Sequence, residues 1–357
     1  MSPEHILDIG FAFRKSKALL SAVELGVFAT LADGPQSAEA LTRRLGLQGR
    51  GARDFFDVLV ALKLLDRDES NRYANAPDCA TYLDPRQQTY IGGLLEYLNA
   101  RMYRSWESLT PALRQGTAQC GPSVAGGFTG FFADEAALKI FLKGMTGGSR
   151  LAARALAQNF PWEAYRTVID IGTAQGCVPV EIAEAHGHLS GGGFDLPQLQ
   201  PAFTSYVRER GLDSRLAFYP GNFFEDPLPA ANVLIMGRVL HDWGVPARKL
   251  LLSKAHEALP AGGALIVHET FIDDARRSRA HSLLASLNML IQTDDGSEFT
   301  ARECMMWMRE AGFGKPRVVP LAGGHAAVIA TKLRGRTSVR PSSTTRGPAE
   351  PIACSRA

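Results

Sequence analysis

Residues 168–186 read VIDIGTAQGCVPVEIAEAH, a short apolar run, a glycine-bearing turn and an amphipathic stretch. The apolar run suits a buried strand that ends near Asp170 and Ile171. Gly172 and Gly176 let the backbone turn sharply and approach a ligand without interference from a Cβ atom. The residues that follow have helical spacing. Strand, tight turn and helix in that order open an α/β fold, in which ligands bind beyond the carboxyl ends of the strands. Outward from this unit, GFDL (193–196), RLAFY (215–219), NVLIM (232–236), GALIVHE (263–269), RVVPL (317–321) and AAVIATK (326–332) are further strands, with the longer helices lying between the earlier ones. The alternation predicts a mainly parallel, Rossmann-like sheet covered on both faces. Little more than AGG separates the last two runs, so they form a hairpin and at least one edge strand runs antiparallel.

The front of the chain has a different pattern. Leu19, Leu20, Val23, Leu25, Val27 and Leu31, then Phe55, Phe56, Leu59, Val60, Leu62 and Leu64, recur at helical spacing. Asp33-Gly34-Pro35 and Leu45-Gly46-Leu47 punctuate short helices, and LLDRDESNRYANA (64–76) has the polar, turn-rich centre of a β-hairpin. This is the order of a winged helix-turn-helix. Helix is expected again through Tyr97, Trp106 and Leu113, and after the glycine-rich CGPSVAGGFTG (120–130) through Lys139, Phe141 and Met145. The chain thus divides into a winged-helix-like lobe (1–100), a helical linker (101–160), a Rossmann-like domain (161–334) and a tail (335–357). The tail, rich in Arg, Ser, Thr and Pro, has too few large apolar groups to offset the entropy of ordering and is predicted to be disordered.

Composition excludes several classes. The 357 residues are 45% hydrophobic and 21% charged, and no apolar run is long enough to span a bilayer. The N-terminus lacks the features of an export signal, so a cytoplasmic protein is expected. Cys79, Cys120, Cys177, Cys304 and Cys354 are scattered without a C-x-x-C pair, which fits reduced thiols. A net charge of +3 is too small to argue for nucleic acid. The winged-helix-like front nevertheless raises a DNA-binding regulator as an alternative. Arg43, Arg44, Arg50 and Arg53 would supply its basic face, but Asp54, Asp57, Asp66 and Asp68 interrupt it.

Asp195 stands at the expected end of the second strand, where a carboxylate can accept both hydroxyls of a ribose. The full G-x-G-x-x-G fingerprint is missing, and close approach to a pyrophosphate needs those glycines. A cofactor with an adenosine but no phosphate fits better than NAD.

Taken together, SAVELGVFATLADGP, FLKGMTGGS, VIDIGTAQG, GFDLP, GNFFEDPLPAANVLIMGRVLHDW, LPAGGALIVHET, SLNMLI, GSEFT and WMREAGF resemble, in order and spacing, the caffeate, hydroxyindole and polyketide-tailoring O-methyltransferases, the class with an N-terminal dimerisation domain. The resemblance runs from about Leu19 to Lys332. It implies S-adenosylmethionine as methyl donor, a small aromatic acceptor and a homodimer. It places Ser149, Asp170, Gly172, Gly176, Asp195, Leu196, Asn222, Phe223, Arg238 and Trp243 around the donor, and Phe141, Met145, Asn288 and Met289 around the acceptor. It makes His241 the general base, with Glu269 and Glu298 holding the imidazole. The chemistry agrees, because a phenol with a pKa near ~10 is a poor nucleophile at neutral pH until a positioned base removes its proton.

Two positions depart from the family pattern: Asn222 stands where members carry Asp to meet the adenine amino group, and Gly237 where plant members carry Lys. Asp242 is read as structural. Asp273-Asp274 and Asp294-Asp295 are read as solvated loop charges, and His186 and His188 lack a zinc spacing, so no metal is expected. The same scaffold could methylate carbon or nitrogen, and that alternative stays open.

Overall fold

A computed structural model describes residues 2–119 and 134–333. The glycine-rich segment 120–130 and the tail from 335, with Cys120 and Cys354, lie outside the described residues. The front of the chain is mostly helical: α1 (Glu4–Glu24), α2 (Val27–Leu31), α3 (Ala38–Arg44), α4 (Gly49–Ala61) and α5 (Pro77–Tyr82). Ser37 caps α3 by accepting the Ala40 N–H, which satisfies one of the free amides of its first turn. The hairpin read from LLDRDESNRYANA is present as β2 (Leu65–Arg67) and β3 (Arg72–Asn75). With β1 (Gln36–Ser37) these strands make a three-stranded sheet in the order β1-β3-β2. Phe28, Leu41, Phe56, Leu59, Leu65 and Tyr73 form its core.

Several arginines of this lobe pair with its acidic residues. Arg44 meets Asp33 at 2.9 Å, Arg53 approaches Asp57 at 3.7 Å, and Asp57 also takes Arg67 at 2.7 Å. Acidic side chains thus interrupt the basic face at Arg44 and Arg53. Along α1, by contrast, Ile6, Ile9 and Phe13 are 73%, 64% and 55% exposed.

A second set of helices leads to the sheet: α6 (Gly92–Tyr97), α7 (Leu109–Gln115) and the long α8 (Glu135–Asn159). The main sheet has seven strands: β4 (Thr167–Ile171), β5 (Ser190–Asp195), β6 (Leu216–Pro220), β7 (Val233–Gly237), β8 (Ala264–Glu269), β9 (Phe313–Pro320) and β10 (Ala326–Lys332). Their order is β6-β5-β4-β7-β8-β10-β9. The first five are parallel, while β10 runs antiparallel to both β8 and β9. The antiparallel edge expected from the short connection is thus the β9–β10 hairpin. Helices α9 (Cys177–Ala185), α10 (Gln200–Glu209), α11 (Val245–Ala258), α12 (Ala280–Gln292) and α13 (Ala301–Glu310) complete the chain.

Alternation along β7 shows the two-faced core. Val233 and Ile235 join Leu156, Trp162 and Ile182 on one side, and Leu234 and Met236 join Leu252, Trp307 and Met308 on the other. Strands buried on both faces read as continuous apolar runs, which is why NVLIM and GALIVHE are so easily seen.

Two strands begin earlier than their sequence suggests. β5 starts at Ser190 because Gly191 holds φ +143 and Gly192 φ +152, with neighbouring carbonyls where Cβ atoms would stand. β9 starts at Phe313 and includes Pro316, which an outermost strand tolerates. Cys79, Cys177 and Cys304 are buried free thiols. No described helix is long and apolar enough to cross a membrane.

Candidate active site

The carboxyl ends of β4, β5, β7 and β8 gather the predicted residues into two groups. In the first, the turn after β4 adopts left-handed backbone at Gly172 (φ +74), Ala174 (φ +51) and Gly176 (φ +93). A Cβ on Gly172 would lie 2.6 Å from the Val239 side chain, so only glycine lets this turn pack so closely against the segment after β7. Asp195 ends β5. Its two oxygens accept the main-chain N–H groups of Ala174 and Leu196, each at 2.8 Å. Burial raises its carboxyl to about 6, against the pull of those two amides. Asp170 lies beneath the turn, 3% exposed, and burial pushes it up to about 8.

Asn222 closes a local turn, its side-chain oxygen accepting the Phe224 N–H at 3.0 Å while its own N–H donates to Asp226 at 2.8 Å. Beside it Trp243 meets Phe223 and Phe224 edge-on, with ring centroids 5.8 and 4.6 Å away. Arg238 follows β7 in left-handed backbone, and its guanidinium reaches toward Gly148, next to Ser149.

The second group centres on His241, in a single helical turn (Leu240–Asp242) just after β7. Nδ1 of the ring lies 2.8 Å from Glu298 and 3.5 Å from Glu269, while Nε2 lies 3.5 Å from Asp242. Glu298 also accepts the Thr270 hydroxyl at 2.9 Å, and Glu269 the Leu240 N–H at 3.1 Å. All three members of the triad are buried. Burial opposes the imidazolium, but the carboxylates of Glu269, Glu298 and Asp242 outweigh it and raise His241 to about 10. Burial also pushes Glu269 up to about 8, although the His241 charge opposes that rise. Glu298 is held below its usual range despite burial, because the charge and hydrogen bond of His241 favour its anion.

Phe141, Met145 and Ser149 recur every fourth residue along α8 and so share one face. Phe141 packs edge-on against Tyr97 at 5.9 Å, and Asn288 on α12 accepts the Trp106 indole N–H at 3.3 Å. Met289 is half-buried on the same helix.

Among the described residues, His241, Glu269 and Glu298 are the one grouping whose ligand atoms lie close enough to hold a metal, within 4.8 Å of one another. A closed zinc site needs a fourth ligand, and Nδ1 is already engaged with Glu298. Asp273 accepts the N–H groups of Arg277, Ser278 and Arg279 and organises its own loop.

Sequence reasoning passed over Arg248 and Thr270. Arg248 is 2% exposed; it donates to the carbonyls of Leu240, Trp243 and Ser297 at 2.9, 2.6 and 2.6 Å. It thereby ties the His241 turn to the segment carrying Glu298. Nothing in VPARKLLLSK distinguishes this arginine from one in solvent.

The strand order, the left-handed glycine turn after β4 and the acid ending the second strand define an S-adenosylmethionine-dependent methyltransferase. Residues 106–314 match the model of the O-methyltransferase domain and residues 7–85 that of the O-methyltransferase dimerisation domain, and the chain belongs to this family. It is 41% identical to the tetracenomycin polyketide synthesis 8-O-methyl transferase TcmO of Streptomyces glaucescens, over 93% of this chain and 97% of that one. It is 39% identical to the N,N-dimethyltransferase OxyT of Streptomyces rimosus, over 86% and 90%. The crystal structure of human N-acetylserotonin methyltransferase in complex with SAM superposes with a TM-score of 0.86 at 28% identity, covering 93% of this chain and 97% of the human one.

Proposed function

We propose that the protein methylates a phenolic hydroxyl of a small aromatic acceptor, with His241 as general base. The observation that carries this reading is the pairing of Nδ1 with Glu298 at 2.8 Å, which leaves Nε2, 3.5 Å from Asp242, as the nitrogen to meet a substrate. The donor supplies a methyl group on a sulfonium. Asp195 binds the ribose hydroxyls, with its charge oriented by the Ala174 and Leu196 amides. Gly172, Gly176 and Leu196 shape the same end, Phe223 and Trp243 flank the adenine, and Asn222 meets its amino group. Ser149 and Arg238 take the other end of the donor. Asp170 acts from beneath the turn rather than by contact. Phe141, Met145 and Met289 clamp the acceptor ring, with Asn288 at its rim.

In the free protein the carboxylates favour the imidazolium. With a sulfonium sharing the pocket, two buried positive charges repel, so the His241 proton is given up to solvent water. The neutral Nε2 then takes the hydroxyl proton as the new O–CH3 bond forms and the S–CH3 bond breaks. Glu298 and Glu269 stabilise the imidazolium that results.

The likeness to an N,N-dimethyltransferase supports a second reading, in which the acceptor atom is an amine. Incubation with phenolic and amino-aromatic acceptors and methyl-labelled donor, followed by mass spectrometry and NMR of the product, separates the two. Label on oxygen is expected; label confined to nitrogen or carbon overturns the phenol reading. The exposed apolar face of α1 and the dimerisation domain support a homodimer. Light scattering at micromolar concentration is expected to give twice the chain mass.

A further inference from the structure

Strand β8 is buried throughout, yet it ends in two polar side chains, His268 and Glu269. Glu269 serves the His241 triad. His268 does not: it is 1% exposed, and neither ring nitrogen has a hydrogen-bond partner. Its nearest aromatic neighbour is another imidazole, His325, whose ring centroid lies 6.0 Å away and whose Nδ1 is also unpartnered. Both rings come from the carboxyl-end rim of the sheet, since His325 immediately precedes Ala326, the partner of Glu269 in the β8–β10 ladder.

Buried polar atoms are almost always satisfied, and a pair left bare beside the His241 cluster marks a place where something else supplies the partner. The surroundings indicate its charge. Arg238 lies close enough for its charge to depress both imidazoles: with burial the main cause, His268 is held down to about 4 and His325 to about 3. Arg238 itself makes no ion pair among the described residues. Gly237 completes the arrangement, because the His268 ring fills the space that a side chain at 237 would occupy. Where plant members of the family carry a lysine, this chain brings an imidazole across from the next strand.

We propose that His268 and His325, backed by Arg238, form a carboxylate-binding subsite in the wall of the catalytic pocket. Each imidazole contributes an N–H donor and Arg238 contributes the compensating charge. The carboxylate belongs either to the amino-acid end of the donor or to an acidic group on the acceptor; position favours the donor, since Val239, next to Arg238, packs against the Gly172 turn and the Arg238 guanidinium reaches Gly148, next to Ser149. The inference rests on the donor placement given above and not on which acceptor atom is methylated.

The test is calorimetric and needs no turnover. S-adenosylmethionine and its decarboxylated analogue are titrated into the wild-type protein and into His268→Phe, His268→Gln and His325→Phe. The wild type should prefer the intact donor by about 10–150-fold, the range expected for hydrogen bonds to a charged group. His268→Phe should lose about tenfold or more of that preference while binding the decarboxylated analogue normally, which verifies folding. His268→Gln, which keeps an N–H donor, should recover part of it. If the donor preference is unchanged, a hydroxynaphthoate and the matching naphthol are titrated in the presence of S-adenosylhomocysteine. A carboxylate preference that falls in His268→Phe then assigns the subsite to the acceptor. If neither preference moves, the imidazoles hold water alone and the proposal is wrong. Failure of the methyl-position experiment leaves all these affinities untouched.

Discussion

Asp195 is braced by main-chain N–H groups, those of Ala174 and Leu196, whereas His241 is braced by side chains, Glu298, Glu269 and, through Glu298, Thr270. The first arrangement depends on backbone conformation, since Ala174 and its flanking glycines must hold positive φ to aim one of those amides. The second depends on buried charge, which three carboxylates and one imidazole balance among themselves. A binding site built from backbone tolerates changes at neighbouring side chains. A charge cluster does not, because removing one member leaves the others uncompensated.

The largest expected effect falls on the charge cluster. His241→Ala should lower turnover by about 10²–10⁴ while donor affinity, read by calorimetry, stays within a few-fold. The loss should shrink as the assay pH approaches the acceptor's own pKa. Equal loss in donor binding would erase the distinction between the two halves.

Asp195→Ala should do the reverse, weakening donor binding by about 10–150-fold, the worth of a charged hydrogen bond, with the acceptor Michaelis constant little changed. Glu298→Gln should cost about 10–100-fold in turnover, and Glu269→Gln less. Each double change with His241→Ala should add little, since groups that act as a unit share one contribution.

A subtler contrast concerns pH. His241 has a folded-state pKa of about 10, above the ordinary 6.5, so its stabilisation of the free protein is complete below pH 6.5 and is lost as pH rises through about 10. Thermal melting should therefore fall over that window, and His241→Gln should flatten the fall. The smallest effect is expected at Asn222→Asp: the carboxylate can still accept the Phe224 N–H, and donor affinity should change by less than a few-fold.

The parts of this molecule legible in its sequence are those governed by local rules. The strand, turn and helix at Val168–His186 follow from apolar periodicity and two glycines, and the β9–β10 hairpin from a connection too short for anything else. The start of β5 is not legible because Gly191 and Gly192 lack the side chains that mark a strand; the carbonyls of Val168 and Ala217 stand where their Cβ atoms would, so only glycine fits there. The structure brings together His241, Glu269 and Glu298, which the ordered motifs single out, while nothing in the sequence singles out Arg248 or His268. Both are set apart by burial and by partners, or their absence, on distant segments, which no local spacing encodes.

The position of β10 has a consequence for the birth of the protein. The strand is added between β8 and β9, yet it is the last of the sheet to leave the ribosome. Until it arrives, one edge of β8 stands unpaired, and the helices around it cover an unfinished layer. An open, apolar strand edge is a template for pairing with other chains. Synthesis that stalls before Ala326 therefore leaves a species prone to aggregate rather than a weakened enzyme, and the wall carrying Glu269 is sealed by the last described strand.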